Sequence, residues 1–128
     1  MKTKLILLLL LLACLVVNIC ASYSCWRPMV VLGTSMEPTL HPWQVCWMHR
    51  DILPLKKGDV VVFPLERETG LLVKRVAALE GATVTVNGCT WRVPKDECYV
   101  LGDNSKASVD SREFGTIKQN SIIGKIDF

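Results

Sequence analysis

Histidine is scarce in this chain, occurring only at His41 and His49, and neither lies beside a cysteine. The six cysteines show no paired C-x-x-C spacing, so a metal site is not expected and no cofactor is implied. A basic stripe is also missing. The formal charge of +3 is spread along the sequence, which gives no electrostatic reason to expect a nucleic-acid partner. Internal repeats and low-complexity segments are absent apart from one leucine run, and 128 residues are too few for a two-domain enzyme, since domains usually run to about 100–150 residues.

Apolar sequence is abundant. Hydrophobic residues make up 50% of the chain, and much of the excess lies in Leu5–Val17, which follows the basic start Lys2 and Lys4. As a helix, Leu5 to Ala21 would span about 26 Å, just short of a hydrocarbon core of about 30 Å. Tyr23 and Trp26 could extend it at the interface. A cleaved secretory signal and a lipoprotein processing site at Leu11-Leu12-Ala13-Cys14 are alternative readings. All three export the remainder, and the anchor reading is preferred, with a cytoplasmic N-terminus and the rest on the extracytoplasmic face. The chain then divides into an anchor at 1–21, a juxtamembrane link at 22–28 and a folded domain at 29–128. Cys14 and Cys20 are packing residues of the apolar segment. Cys25, Cys46, Cys89 and Cys98 fall in an oxidising compartment, where Cys89 with Cys98 is the preferred disulfide candidate.

From Met29 onward the texture is short β-branched runs broken by Gly, Pro and Asp, which predicts a mainly β domain. The expected strands are Met29–Gly33, Gln44–His49, Asp59–Pro64, Leu71–Leu79, Thr83–Val86, Cys89–Val93, Glu97–Leu101 and Ile122–Ile126. Asn87-Gly88 between two alternating runs marks a type I′ hairpin. Ala77-Ala78-Leu79-Glu80 would also suit a helix.

Three stretches carry candidate chemistry. Val31-Leu32-Gly33-Thr34-Ser35-Met36-Glu37-Pro38 places a serine at a strand-to-turn junction, where an adjacent backbone N–H can stabilise an oxyanion; an ordinary turn serine fits the same stretch. His41 is too close to Ser35 in sequence for a Ser-His-Asp arrangement, so Lys74, inside the apolar run Leu71–Leu79, is the better base. On a strand, Lys74 and Arg75 point to opposite faces, so at least one is driven toward a packed surface. Burial matters because an ordinary lysine is neutral only about once in 2,500 at pH 7, and each tenfold gain in the neutral form costs about 1.4 kcal/mol. The alternative is a lysine that snorkels to solvent. The third stretch, Leu101–Gly115, is a polar loop in which Asp110 and Arg112 can pair.

Taken in order, these stretches resemble the type I signal peptidase family of Ser/Lys proteases. Gly33-x-Ser35-Met36-x-Pro38-Thr39-Leu40 is similar to its nucleophile box, Lys57–Phe63 to the following strand box, Val73-Lys74-Arg75-Val76 to the base box, and Gly102-Asp103-Asn104 through Ser108-x-Asp110-Ser111-Arg112 to the last box. The resemblance implies a β-rich, membrane-bound serine endopeptidase that removes signal peptides from exported preproteins and works against the lipid bilayer. It implies Ser35 as nucleophile and Lys74 as base, with Ser108 donating a hydrogen bond that holds the lysine amine. Asp110, Arg112 and Arg75 would form a supporting cluster, and Met29, Val31, Leu32 and Met36 would line shallow substrate pockets. Gly33 stands where some relatives carry a hydroxyl residue, so the oxyanion hole would rest on the Ser35 N–H. The usual turn after the base reads Ala78-Leu79-Glu80-Gly81-Ala82, without its Pro and Asp, and a large inserted domain of bigger relatives is missing. A dedicated maturation protease of a conjugation, pilus or secretion system and an inactive signal-peptide-binding relative are the other readings.

Overall fold

Leucine-rich sequence forms helix readily, and α1 runs from Lys2 to Cys25. Its apolar stretch Thr3–Ala21 is 19 residues, about 28 Å long, and none of it is buried against the rest of the protein. The computed structural model describes residues 2–66 and 68–128; the side chains of residues 2 and 22–24 fall outside the description, and with them the interfacial position expected of Tyr23.

Among the described residues nine strands follow: β1 (Trp26–Val30), β2 (Val45–His49), β3 (Val60–Pro64), β4 (Leu71–Leu79), β5 (Thr83–Val86), β6 (Cys89–Arg92), β7 (Glu97–Leu101), β8 (Ile117–Lys118) and β9 (Gly124–Ile126). A short helix, α2 (Ser111–Phe114), precedes β8. Seven strands form one antiparallel sheet in the order β1-β2-β9-β3-β4-β7-β8, while β5 and β6 form a separate hairpin. The architecture is mainly β with one N-terminal apolar helix, as the composition suggests.

The hydrophobic pattern explains the layering. In β3 every residue from Val60 to Phe63 is buried, so this strand is covered on both faces. Val60 and Val62 pack with Val31, Met36, Leu40, Met48 and Ile126 on one side. Val61 and Phe63 pack with Val76, Cys98, Val100, Ile117 and Ile122 on the other. Each such aliphatic or aromatic side chain contributes about 1.5–3 kcal/mol by leaving water.

The main departures from the sequence-based elements lie at the ends. Segment 22–28, expected as a link, is divided between the last turn of α1 and the start of β1, which begins at Trp26 rather than Met29. Pro28 is compatible with this because β1 is an edge strand, where a missing N–H costs no ladder bond. Ala77 to Leu79 are strand, not helix, paired with β7 across a register shift between Val76 and Ala78. The Asn87-Gly88 turn has φ of 51° and 80°, both positive, as a type I′ turn requires.

The Cys89–Cys98 bridge is not formed; both thiols are free. Cys98 belongs to β7 of the large sheet and is fully buried in the core, whereas Cys89 is exposed on the separate hairpin. Burial, followed by the nearby Glu97 carboxylate, pushes the Cys98 thiol up to about 11, which leaves it unreactive at neutral pH.

Candidate active site

Ser35 lies in the connection between β1 and β2, and Lys74 lies in the middle of β4, opposite Val61 of β3. Alternation puts Lys74 on the same face as Leu72 and Val76, within the apolar layer, and only 3% of it is exposed. Its amine emerges at the Ser35 loop, where Lys74 Nζ donates to Ser35 Oγ at 2.8 Å. Desolvation lowers the lysine pKa below its ordinary value, opposed by the negative charges of Asp110 and Glu68. A neutral amine at this distance can accept the same hydroxyl's proton. Among the described residues neither histidine is hydrogen-bonded to this pair: His41 lies 3.5 Å from Glu37, and His49 lies 2.9 Å from Asp127.

Asp110 is the most densely bonded side chain nearby. Its carboxylate is completely buried, caps α2 by accepting from Arg112 N, and accepts further bonds from Arg112 Nε at 2.8 Å, Arg112 Nη2 at 2.7 Å, Gly102 N at 2.9 Å and Ser108 Oγ at 2.8 Å. Burial alone would raise its pKa, but these donors outweigh it and hold the carboxyl at about 2. Ser108 therefore plays a different part from the one the resemblance implies. Its single O–H is directed to Asp110, and no hydrogen bond joins it to Lys74 among the described residues.

Arg75, on the opposite face of β4, does not join Asp110 either. It makes a bidentate pair with Asp103, through Nε at 2.8 Å and Nη2 at 2.7 Å, and also donates to Gly58 O and Thr39 Oγ1. Thr39 Oγ1 in turn donates to Asp103 Oδ2, so the loop that carries Ser35, β4 and the loop after β7 meet at one carboxylate. The bonds from Arg75, more than those from Thr39, hold Asp103 below the usual carboxylate range. The supporting groups are thus two ion pairs rather than one cluster.

Gly102 separates the two networks. A Cβ on it would lie 2.1 Å from Ser108 Oγ and 2.6 Å from the Ser35 carbonyl oxygen, so only a hydrogen fits. Thr39, Gly102, Asp103 and Asn104 lie within the motifs that carry the family resemblance, and their part becomes visible only once the loops are brought together.

The four residues expected in substrate pockets have different surroundings. Met36 and Val31 are core residues, 1% and 7% exposed, Met29 is half-buried against the same core, and Leu32 is 71% exposed. Met36 can therefore support a pocket only from beneath. A cleft of about 680 Å³, lined by Trp26, Val45, Trp47 and Phe128 among others, includes neither Ser35 nor Lys74.

The family model described as signal peptidase, peptidase S26, matches residues 2–90 and 86–128. The chain belongs to this signal peptidase family. Among its relatives, signal peptidase I of Bacillus licheniformis is 26% identical, with 80% of this chain and 75% of that protein covered. Subunit 1 of the mitochondrial inner membrane protease of Xenopus tropicalis is 30% identical, with 84% and 70% covered. The Bacillus alignment runs over 140 positions yet takes in only 80% of 128 residues, so that signal peptidase carries insertions missing here. The crystal structure of a signal peptidase I from Enterococcus faecalis superposes with a TM-score of 0.50 at 26% identity, covering 56% of this chain and 96% of that one.

Proposed function

We propose that this protein is a membrane-anchored serine endopeptidase that removes signal peptides from exported preproteins, with Ser35 as nucleophile and Lys74 as general base. The observation that carries this reading is the 2.8 Å contact between Ser35 and a lysine buried to 3% exposure. Ser35 Oγ attacks the scissile carbonyl carbon while its proton passes to neutral Lys74 Nζ. The carbonyl electron pair moves onto oxygen, which the Ser35 N–H is available to stabilise. As the tetrahedral intermediate collapses, the lysine ammonium returns the proton to the departing amine. Water then attacks the acyl-enzyme ester with Lys74 again accepting the proton, and Ser35 is regenerated.

The anchored half of the proposal draws on α1 and on the ribbon joined to it. In register, Trp26, Pro28 and Val30 of β1 share a face with Trp47 and Val45 of β2, and all five are exposed. Trp43 and Phe128, 78% and 74% exposed, add to the exposed apolar surface. An apolar sheet face continuous with a spanning helix, and rich in tryptophan, suits the interfacial zone of a lipid bilayer. The short basic start, Lys2 and Lys4, favours a cytoplasmic N-terminus and an extracytoplasmic catalytic domain.

The test is cleavage of a preprotein by the full chain in detergent micelles. Ser35→Ala and Lys74→Ala are each expected to abolish it with the fold retained, and activity of the unaltered chain is expected to climb with pH as Lys74 loses its proton. Full activity in either variant would refute the assignment, and stoichiometric binding without cleavage by the unaltered chain would favour an inactive signal-peptide-binding relative.

A further inference from the structure

We infer that Asn104 is a positioning residue that aims the oxyanion-binding N–H of Ser35, an inference that rests on the function proposed above. Asn104 holds the backbone on both sides of the nucleophile. Its side-chain Nδ2 donates to the Thr34 carbonyl at 3.2 Å, and its backbone N–H donates to the Ser35 carbonyl at 2.9 Å. The Thr34–Ser35 peptide is trans, since the only cis bonds described are Glu37–Pro38 and Leu53–Pro54. In a planar trans unit the carbonyl of Thr34 and the N–H of Ser35 point in opposite directions, so fixing one fixes the other. The second bond fixes the following plane, so one residue restricts rotation on both sides of the Ser35 Cα.

Two further observations give this grip its importance. The Ser35 N–H has no acceptor among the described residues, so it is free for a developing oxyanion. Gly33 offers no side-chain hydroxyl as a second donor, and the site depends on the direction of that one N–H. Glu37 N also donates to the Thr34 carbonyl at 3.2 Å, but it belongs to the same loop and moves with it. Asn104 instead belongs to the loop after β7, next to Asp103, which is fixed to β4 through Arg75. A hydrogen bond accepted at the Thr34 carbonyl also polarises its peptide and makes the Ser35 N–H a better donor.

The experiment compares Asn104→Asp with the unaltered chain, each with Gly33 and with Gly33→Ser, by kcat and KM on one preprotein in micelles. Asp is isosteric but cannot donate to the Thr34 carbonyl, and Gly33→Ser adds a hydroxyl where a Cβ meets no heavy atom within 4 Å. With Gly33, kcat is expected to fall about 10- to 100-fold with KM changed by less than about 3-fold, as for a misdirected oxyanion donor. With Ser at 33 the loss should shrink to a few-fold. No loss, a loss confined to KM, or an equal loss in both backgrounds would overturn the inference, because a general displacement of the loop would not be rescued by a second donor. Asn104→Ala repeats the comparison if the aspartate variant fails to fold. Ser35→Ala separates the two claims: retained cleavage there refutes the proposed function, whereas its loss beside an unimpaired Asn104→Asp refutes only the positioning role.

Discussion

Asp110→Asn is the substitution whose consequence can be worked out most fully. The carboxyl is lowered from 3.8 to about 2, which at about 1.4 kcal/mol per tenfold corresponds to about 2.5 kcal/mol of folded-state preference for the anion. Its partner Arg112 is 36% exposed, and solvent screening trims this to about 2 kcal/mol. The amide adds a penalty of its own. Gly102 N and Ser108 Oγ donate to one carboxylate oxygen, while Arg112 donates to both, so either orientation of the Asn amide faces an NH2 toward existing donors. A mismatched buried polar group costs about 1–3 kcal/mol, giving a total loss of about 3–5 kcal/mol at pH 7. Because the native pKa is depressed, the aspartate's electrostatic contribution is complete above about 3.8 and disappears as pH falls through about 2. Urea titrations of the full chain in non-ionic detergent, followed by tryptophan fluorescence, would measure both proteins at pH 7, 4 and 2. The gap between them should narrow by about 2 kcal/mol toward low pH. A gap of constant size, or none at pH 7, would refute this account of Asp110.

Gly102→Ala should cost about 1–3 kcal/mol of stability and about 100-fold in kcat, since the methyl group must displace Ser108 or the Ser35 backbone; wild-type turnover would contradict the packing. Lys74→Met should abolish cleavage yet raise Tm at pH 7. The lysine's native pKa is lowered, so its protonated form destabilises the fold fully below that pKa, and the Tm difference should close as pH rises toward the ordinary lysine range. A lower Tm at pH 7 would argue against the desolvation of Lys74. Cys89→Ser should change stability by less than about 0.5 kcal/mol, because its thiol is free and exposed, and a large loss under oxidising conditions would point to a bridge after all.

The elements legible in the sequence were those whose pattern is local. β4, β5 and β7 coincide with their expected residues, and Asn87-Gly88 makes the turn its type demands. β1 begins three residues before the expected Met29 and includes Pro28, which an edge strand tolerates, and edges are assigned by topology. The short α2 and two-residue β8 carry too little periodicity to stand out; Asp110, read as half of an ion pair, is also the cap that starts α2. At the site, Ser35 and Lys74 were readable as candidates from the chain. Their 2.8 Å approach, the pairing of Arg75 with Asp103, and the direction of the Ser108 hydroxyl were not. Such choices depend on which loops the sheet order brings together, and residues 39, 74 and 103 are distant in sequence.

The direct passage from α1 into β1 has a consequence for reach. Ser35 follows Cys25 by ten residues, half of them taken up by a strand about 17 Å long that is hydrogen-bonded into the sheet. If α1 spans a bilayer, as proposed, that short tether would work as a ruler. On the proposed function it would keep Ser35 at a set height above the lipid, and a bond would be open to attack only when the apolar segment of its own chain, held in the same bilayer, delivers it to that height. Selection among proteins would then begin with how far each one rises from the membrane, before any side chain is recognised.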